Sequence, residues 1–181
     1  MKEDLSNIKD QLLVMDAQDG DAKALDKLIN RWQKRLWQHA FRLTSDQQAA
    51  WDITQQSWLG IIKGLRNLHD PAKFKAWAYR ITTNKAIDWI KESKGVKHTS
   101  MEEIENSLYE QKEDSGIKEL LEKLDRPKKV VLILYYFEQL SVSEISLVLD
   151  IPKGTVKSRL YSARKKIKKL WQSHYGNSLD G

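Results

Sequence analysis

Residues 141–169, SVSEISLVLDIPKGTVKSRLYSARKKIKK, constrain the fold more than any other stretch of the chain. Ser141 followed three residues later by Glu144 is a capping box. It opens a short helix that buries Ile145, Val148 and Leu149. Asp150, Ile151 and Pro152 stop that helix, and Gly154 and Thr155 start another. In this second helix Val156, Leu160, Ala163, Ile167 and Leu170 recur at three- and four-residue steps, so one stripe faces a core. The opposite face carries Lys157, Ser158, Arg159, Tyr161, Arg164, Lys165 and Lys168. Two short helices on a sharp turn, the second presenting Arg, Lys, Ser and an aromatic ring, form a helix-turn-helix. Its second helix can enter the major groove of duplex DNA while its later cations meet phosphates. A merely solvated cationic helix would not need the capped helix and tight turn before it.

The charge distribution points to two domains rather than one. Residues 1–94 carry a net charge of +4, residues 95–116 of −4 and residues 117–181 of +6. Basic blocks gain from neutralising phosphates, whereas the acidic stretch between them is repelled by DNA. There is no cysteine, which excludes disulfides and thiolate metal sites and suits a reducing cytoplasm. His39, His69, His98 and His174 are scattered without metal-ligand spacing, so no metal or cofactor is expected. No apolar run approaches the roughly 20 residues that span a bilayer, so neither membrane insertion nor a signal peptide is expected.

Helical periodicity dominates the first block. Residues 22–43 place Leu25, Leu28, Ile29, Trp32, Leu36 and Ala40 on one stripe, with Asp21 as a cap. A second helix runs from the break Thr44-Ser45-Asp46 to about Leu65, carrying Ile53, Trp58, Ile61 and Ile62. A third starts at Asp70-Pro71 and continues to about Glu92. Residues 95–116 lose the periodicity and read as a flexible linker. Residues 117–124 resume it, Pro127 opens another helix, and the run Val130–Phe137 is apolar on all sides, as expected of a buried helix. The fold class is therefore all-α: an N-terminal bundle (1–94), a linker (95–116) and a C-terminal four-helix domain with the helix-turn-helix (117–181).

The third helix interleaves cations with aromatic rings. Phe74, Trp77, Ala78 and Ile81 share a stripe that reads as core, while Tyr79, Arg80, Asn84 and Lys85 fall on other faces. An exposed ring stacks on an unpaired base, an Asn reads a base edge and cations hold the strand, a pattern suited to single-stranded DNA. A chain with a duplex reader and a single-strand reader should act where a duplex opens beside a fixed anchor.

These modules, in this order, closely resemble the extracytoplasmic-function group of bacterial RNA polymerase sigma factors, within the sigma-70 family. Residues 51–65, WDITQQSWLGIIKGL, resemble the second-region helix that docks on the β′ clamp helices of polymerase. Residues 74–90, FKAWAYRITTNKAIDWI, resemble the segment that melts and reads the −10 element. Residues 140–168, LSVSEISLVLDIPKGTVKSRLYSARKKIK, resemble the segment that reads the −35 element, with GTVKSRL followed by ARKK as its most specific part. The resemblance implies an N-terminal bundle of sigma region 2 type and a C-terminal domain of region 4 type. By the same resemblance Asp52, Gln55 and Gln56 contact core polymerase. Trp77, Tyr79, Arg80, Asn84 and Lys85 form the −10 site, Asn84 helping to build the pocket for a flipped base. Thr155, Lys157, Ser158 and Tyr161 lie at the −35 groove, and Arg159, Arg164 and Lys165 serve mainly phosphates. The implied partners are core RNA polymerase, promoter DNA and an anti-sigma factor, and the implied activity is binding without catalysis, in the cytoplasm.

Gln56 stands where the family usually has Glu, and Gln47, Gln48 and Ala49 occupy an often acidic stretch, so the clamp-facing helix is less negative than usual. Ser162 replaces a common Arg. The missing charge leaves room for a modification, and Thr54 on this helix is a candidate phosphorylation switch, against the plainer reading of an ordinary helix residue. A stand-alone helix-turn-helix regulator is the alternative function. An all-helical hydrolase finds no paired catalytic residues to support it.

Overall fold

The computed structural model describes residues 2–93 and 115–175, and all of the regular structure among them is helical. The chain separates into two compact units, 1–99 and 100–181. The linker expected at 95–116 falls almost wholly outside the described residues.

The first unit contains α1 (Lys2–Gln18), α2 (Ala22–Thr44), α3 (Gln47–Gly64) and α4 (Phe74–Ser93). Asp21 caps α2, its carboxylate accepting from the backbone N–H groups of Lys23 and Ala24, and Asp46 caps α3 by accepting from Ala49. Asp70 accepts from the N–H of Ala72 and sets a 3₁₀ turn over Pro71–Lys73, from which α4 departs. Thus the Asp-Pro start falls as expected, one turn ahead of the α-helix proper. The core is aromatic. Trp32 of α2 meets Phe74 edge-on at 5.3 Å and Tyr79 at 5.7 Å, with Leu28, Leu36 and Ile61 fully buried around them.

Helix α1 has no counterpart in the sequence reading: Leu5, Ile8, Leu12 and Met15 fall at helical spacing but are all exposed, and Val14 alone is fully buried. Polar clips hold it instead. Arg31 Nε donates to the buried Asp10 carboxylate at 2.7 Å and its Nη2 to Ser6 Oγ at 3.1 Å, while Gln18 Nε2 donates to the carbonyls of Leu65 and Leu68, each at 2.8 Å. A helix attached this way keeps its apolar stripe toward solvent.

The second unit contains α5 (Ser115–Glu122), α6 (Arg126–Leu132), α7 (Val142–Leu149) and α8 (Lys153–Tyr175), giving the expected four α-helices among the described residues. Between α6 and α7 the chain makes a π-helical turn, Ile133–Phe137. Val130 to Leu134 are buried, but Tyr136 is half exposed, so the run expected to be buried throughout turns one ring outward. Near the start of α6, the hydrogen bond from Lys128 Nζ, at 2.8 Å, holds the Asp125 carboxyl below its usual range, and burial pushes the Lys129 ammonium down.

Candidate nucleic-acid and polymerase interfaces

The reading helix is set by its neighbour. Both halves of the capping box form at α7: Ser141 Oγ accepts from Glu144 N–H at 3.2 Å, and Glu144 Oε2 accepts from Ser141 N–H at 2.8 Å. Asp150 ends α7 in the left-handed region at φ 53°, and Ser146 Oγ donates to the Ile151 carbonyl at 2.6 Å, fixing the turn. Helix α8 then starts at Lys153 and buries Val156, Leu160 and Ala163. That burial turns Lys157, Ser158, Tyr161, Arg164 and Lys165 outward, all exposed, Tyr161 at 66%. Ser158 Oγ donates to the Thr155 carbonyl at 3.0 Å, which still leaves the hydroxyl lone pairs outward. Thr155 and Arg159 are half-buried on the flank of this face, and the Arg164 guanidinium lies against Tyr135 and Tyr136.

Helix α4 brings Trp77, Arg80 and Asn84 to one side, two turns of helix apart end to end. Arg80 and Asn84 are exposed, and Trp77 and Lys85 are half-buried. Tyr79 does not join them. It is 3% exposed, edge-on to Trp32 and 5.0 Å from the His39 ring, so it is a core residue and not a stacking platform. The reason lies in the face chosen by α4: Phe74, Ala76, Ala78, Tyr79, Thr82, Thr83 and Ala86 are the buried set. Two of these are threonines whose hydroxyls are satisfied inside, Thr82 donating to the Ala78 carbonyl at 3.1 Å and Thr83 paired with His39 Nε2 at 2.8 Å. With two threonines on the core face, an apolar-stripe reading rotates the helix the wrong way and takes Trp77 and Ile81, each only half-buried, as core.

Helix α3 presents Asp52, Gln55 and Gln56 to solvent, and Gln48 Nε2 donates to Asp52 Oδ1 at 3.3 Å. Leu59, 61% exposed, continues the same face one turn on, and Ile62, assigned to the apolar set of this helix, is 43% exposed beside it. Their helical spacing from Asp52 and Gln55 is the signal that could have found them. Thr54 faces the other way. It is 2% exposed and its hydroxyl donates to the Ala50 carbonyl at 2.6 Å, so a kinase cannot reach it in the folded unit, and the plainer reading of an ordinary helix residue replaces the candidate switch.

Among the described residues no helix is long and apolar enough to cross a membrane. Residues 28–95 match the family Sigma-70 region 2 and residues 116–167 match Sigma-70, region 4. The chain is 30% identical over 140 residues to RNA polymerase sigma factor SigV of Bacillus subtilis, covering 76% of this chain and 84% of that one. It is 27% identical over 188 residues to RNA polymerase sigma-H factor of Pseudomonas aeruginosa, covering 93% and 96%. Two solved structures share the fold. CnrH, in complex with the cytosolic domain of CnrY, matches with a TM-score of 0.69 at 23% identity, over 91% of this chain and 98% of that one. RpoE of Bartonella quintana, in complex with the anti-sigma factor NepR, matches with a TM-score of 0.68 at 20% identity, over 83% and 98%. With an all-helical fold, matches to both sigma regions in order, and relatives spanning nearly its whole length, the chain belongs to the extracytoplasmic-function group of the sigma-70 family of RNA polymerase sigma factors.

Proposed function

We propose that the two units divide promoter recognition between them, with no chemical step of their own. Residues 1–94 bind core polymerase through the Asp52, Gln55, Gln56 and Leu59 face of α3 and capture melted −10 bases through Trp77, Arg80, Asn84 and Lys85 of α4. Residues 117–181 read the −35 duplex through Lys157, Ser158 and Tyr161, with Thr155, Arg159, Arg164 and Lys165 on the backbone. The acidic stretch 95–116 joins them, and polymerase performs the synthesis. One observation carries this reading: a single chain exposes an aromatic, cationic and amide line on α4 as well as a cationic reading face on a capped helix-turn-helix. The first suits unpaired bases and the second a duplex. The place of action is the cytoplasm, at the nucleoid when bound to polymerase. An anti-sigma factor is a fitting regulator, since RpoE of Bartonella quintana is seen bound to one.

Adding the purified chain to sigma-free core polymerase tests this directly. Promoter-specific transcripts are expected. Tight binding of the chain alone to an operator, with no specific transcript from the mixture, would replace the proposal with a stand-alone regulator.

A further inference from the structure

Tyr136 is the exposed ring that the π-helical turn pushes out of an otherwise buried run, 50% exposed among neighbours that are buried from Val130 to Leu134. It stands against the reading helix. Arg164 Nε donates to Tyr136 Oη at 2.7 Å, and the guanidinium carbon lies 5.3 Å from the Tyr135 ring centre and 5.5 Å from that of Tyr136. Arg164 shares the face of α8 that carries Lys157 and Tyr161, and Lys168 follows it one turn on.

Donor geometry sets what this pair can bind. A guanidinium is a fork of five N–H donors, and here the Nε–H is spent on the tyrosine while the exposed side chain keeps the four terminal N–H donors for a ligand. The two tyrosine rings hold the fork in place, which lowers the entropy lost when it grips an anion. Because Tyr136 Oη accepts from Arg164, its own O–H proton is left to donate elsewhere. A fixed arginine fork with a hydroxyl donor beside it matches a phosphodiester, which accepts several charge-assisted hydrogen bonds at once.

We propose that Tyr136 and Arg164 form a phosphate clip, with Tyr136 a direct ligand of the DNA backbone at the edge of the duplex that α8 reads. The clip rests on the reading of α8 as a duplex-binding helix. It adds a residue from outside the helix-turn-helix, and its contact is sequence-independent.

The test measures binding of the full chain to a short DNA duplex of fixed arbitrary sequence across a salt series, for the wild type, Tyr136→Phe, Tyr135→Phe, Arg164→Ala and the Tyr136→Phe/Arg164→Ala pair. Tyr136→Phe should weaken binding about 3- to 10-fold, as loss of one ordinary hydrogen bond at an exposed site does, with an unchanged slope of log affinity against log salt. Arg164→Ala should weaken it and make that slope shallower by about 1. Tyr135→Phe should bind as the wild type, and Tyr136→Phe should still weaken binding once Arg164 is gone, as loss of a direct ligand does. Unchanged binding by Tyr136→Phe overturns the clip. So does a Tyr136→Phe slope as shallow as that of Arg164→Ala, which would make the tyrosine only a brace for the arginine. Unchanged duplex binding with weaker core-polymerase binding would put the pair on a protein interface and also overturns it. No promoter enters this assay, so its result stands apart from the transcription test, whose failure would remove the sigma reading and not the clip.

Discussion

Gly64, the last residue of α3, lies under the ring of Trp77 in α4: a Cβ added there would stand 2.8 Å from Cζ2 and 3.3 Å from Cη2. Both distances are shorter than ordinary van der Waals separation, so the absent side chain is what lets the ring approach α3 this closely. In an open helix Gly→Ala gains about 0.5–1 kcal/mol. Here the clash should reverse the sign, and Gly64→Ala should lose about 1–3 kcal/mol through overpacking, or swing the half-buried ring outward at a smaller cost. Thermal unfolding checks the first and permanganate footprinting of the −10 region the second. A higher melting temperature with an unaltered bubble would mean that the ring does not rest on Gly64.

Base reading and backbone binding should separate on α8. Replacing Lys157 or Ser158 should relax preference at particular upstream bases, at roughly 1–3 kcal/mol for a base contact. Replacing Lys166 or Lys169, both exposed and away from the Lys157 line, should weaken binding to all sequences alike. Competition between cognate and scrambled upstream elements measures both. Equal losses on the two elements for the Lys157 and Ser158 variants would take base reading away from this face.

Asn84→Ala should leave core binding and closed-complex formation nearly intact and reduce strand separation around the −10 element. The side chain is exposed in line with Trp77, and an amide that reads an extruded base acts only once the base has left the stack. Permanganate reactivity of the bubble thymines is the readout. Reactivity equal to the wild type would remove Asn84 from the site.

Sequence and structure agree where local chemistry and burial coincide. Asp21, Asp70-Pro71 and the Ser141–Glu144 box mark helix starts by hydrogen bonds formed within a few residues, so spacing alone finds them. On α8 the core stripe is wholly apolar, and the exposed cationic face follows from it by subtraction. On α4 the core stripe includes Thr82 and Thr83, and Thr83 is satisfied by His39 some 44 residues away, a pairing that no local pattern reports. A stripe of apolar residues alone therefore puts Tyr79 on the wrong face. Helix α1 turns its stripe of Leu5, Ile8, Leu12 and Met15 to solvent and is attached instead through Asp10 and Gln18, whose partners are distant in sequence, and Tyr136 escapes notice because a π turn rotates the chain out of the helical register that the apolar run implies.

Thr54 sets up a contrast with the surface around it. Since its side chain is buried and its hydroxyl already bonded to Ala50, Thr54→Glu would place a carboxylate in the core of the first unit, at a cost of at least about 2 kcal/mol for an unpaired polar group. The expected outcome is a lower melting temperature for that unit, with core-polymerase affinity falling only as the folded fraction falls. Thr54→Val, which keeps the shape and loses the bond, should cost about 1 kcal/mol. Unfolding followed by circular dichroism decides it, and a Thr54→Glu chain as stable as the wild type would mean that the residue is not buried in solution.

The neutral clamp-facing surface gives the last prediction. Gln55 and Gln56 are exposed on α3 beside Asp52, so the face as it stands carries one carboxylate there, already accepting a hydrogen bond from Gln48. If this face meets a basic clamp, a carboxylate at position 56 adds about 0.2–1 kcal/mol for an exposed pair. Gln56→Glu should therefore bind core polymerase up to about 5-fold tighter at low salt. The gain should shrink as salt rises, because exposed pairs are screened over about 10 Å at about 0.1 M ionic strength. Leu59→Ala should act differently: trimming an apolar side chain on the same face weakens binding at every salt concentration, since its contribution comes from buried area and not from charge. Competition for core polymerase at two salt concentrations separates the two effects. A Gln56→Glu chain that binds no tighter at low salt, beside a Leu59→Ala chain that binds more weakly throughout, would leave α3 as the docking face but make its attachment apolar; no effect from either would move the docking face off α3.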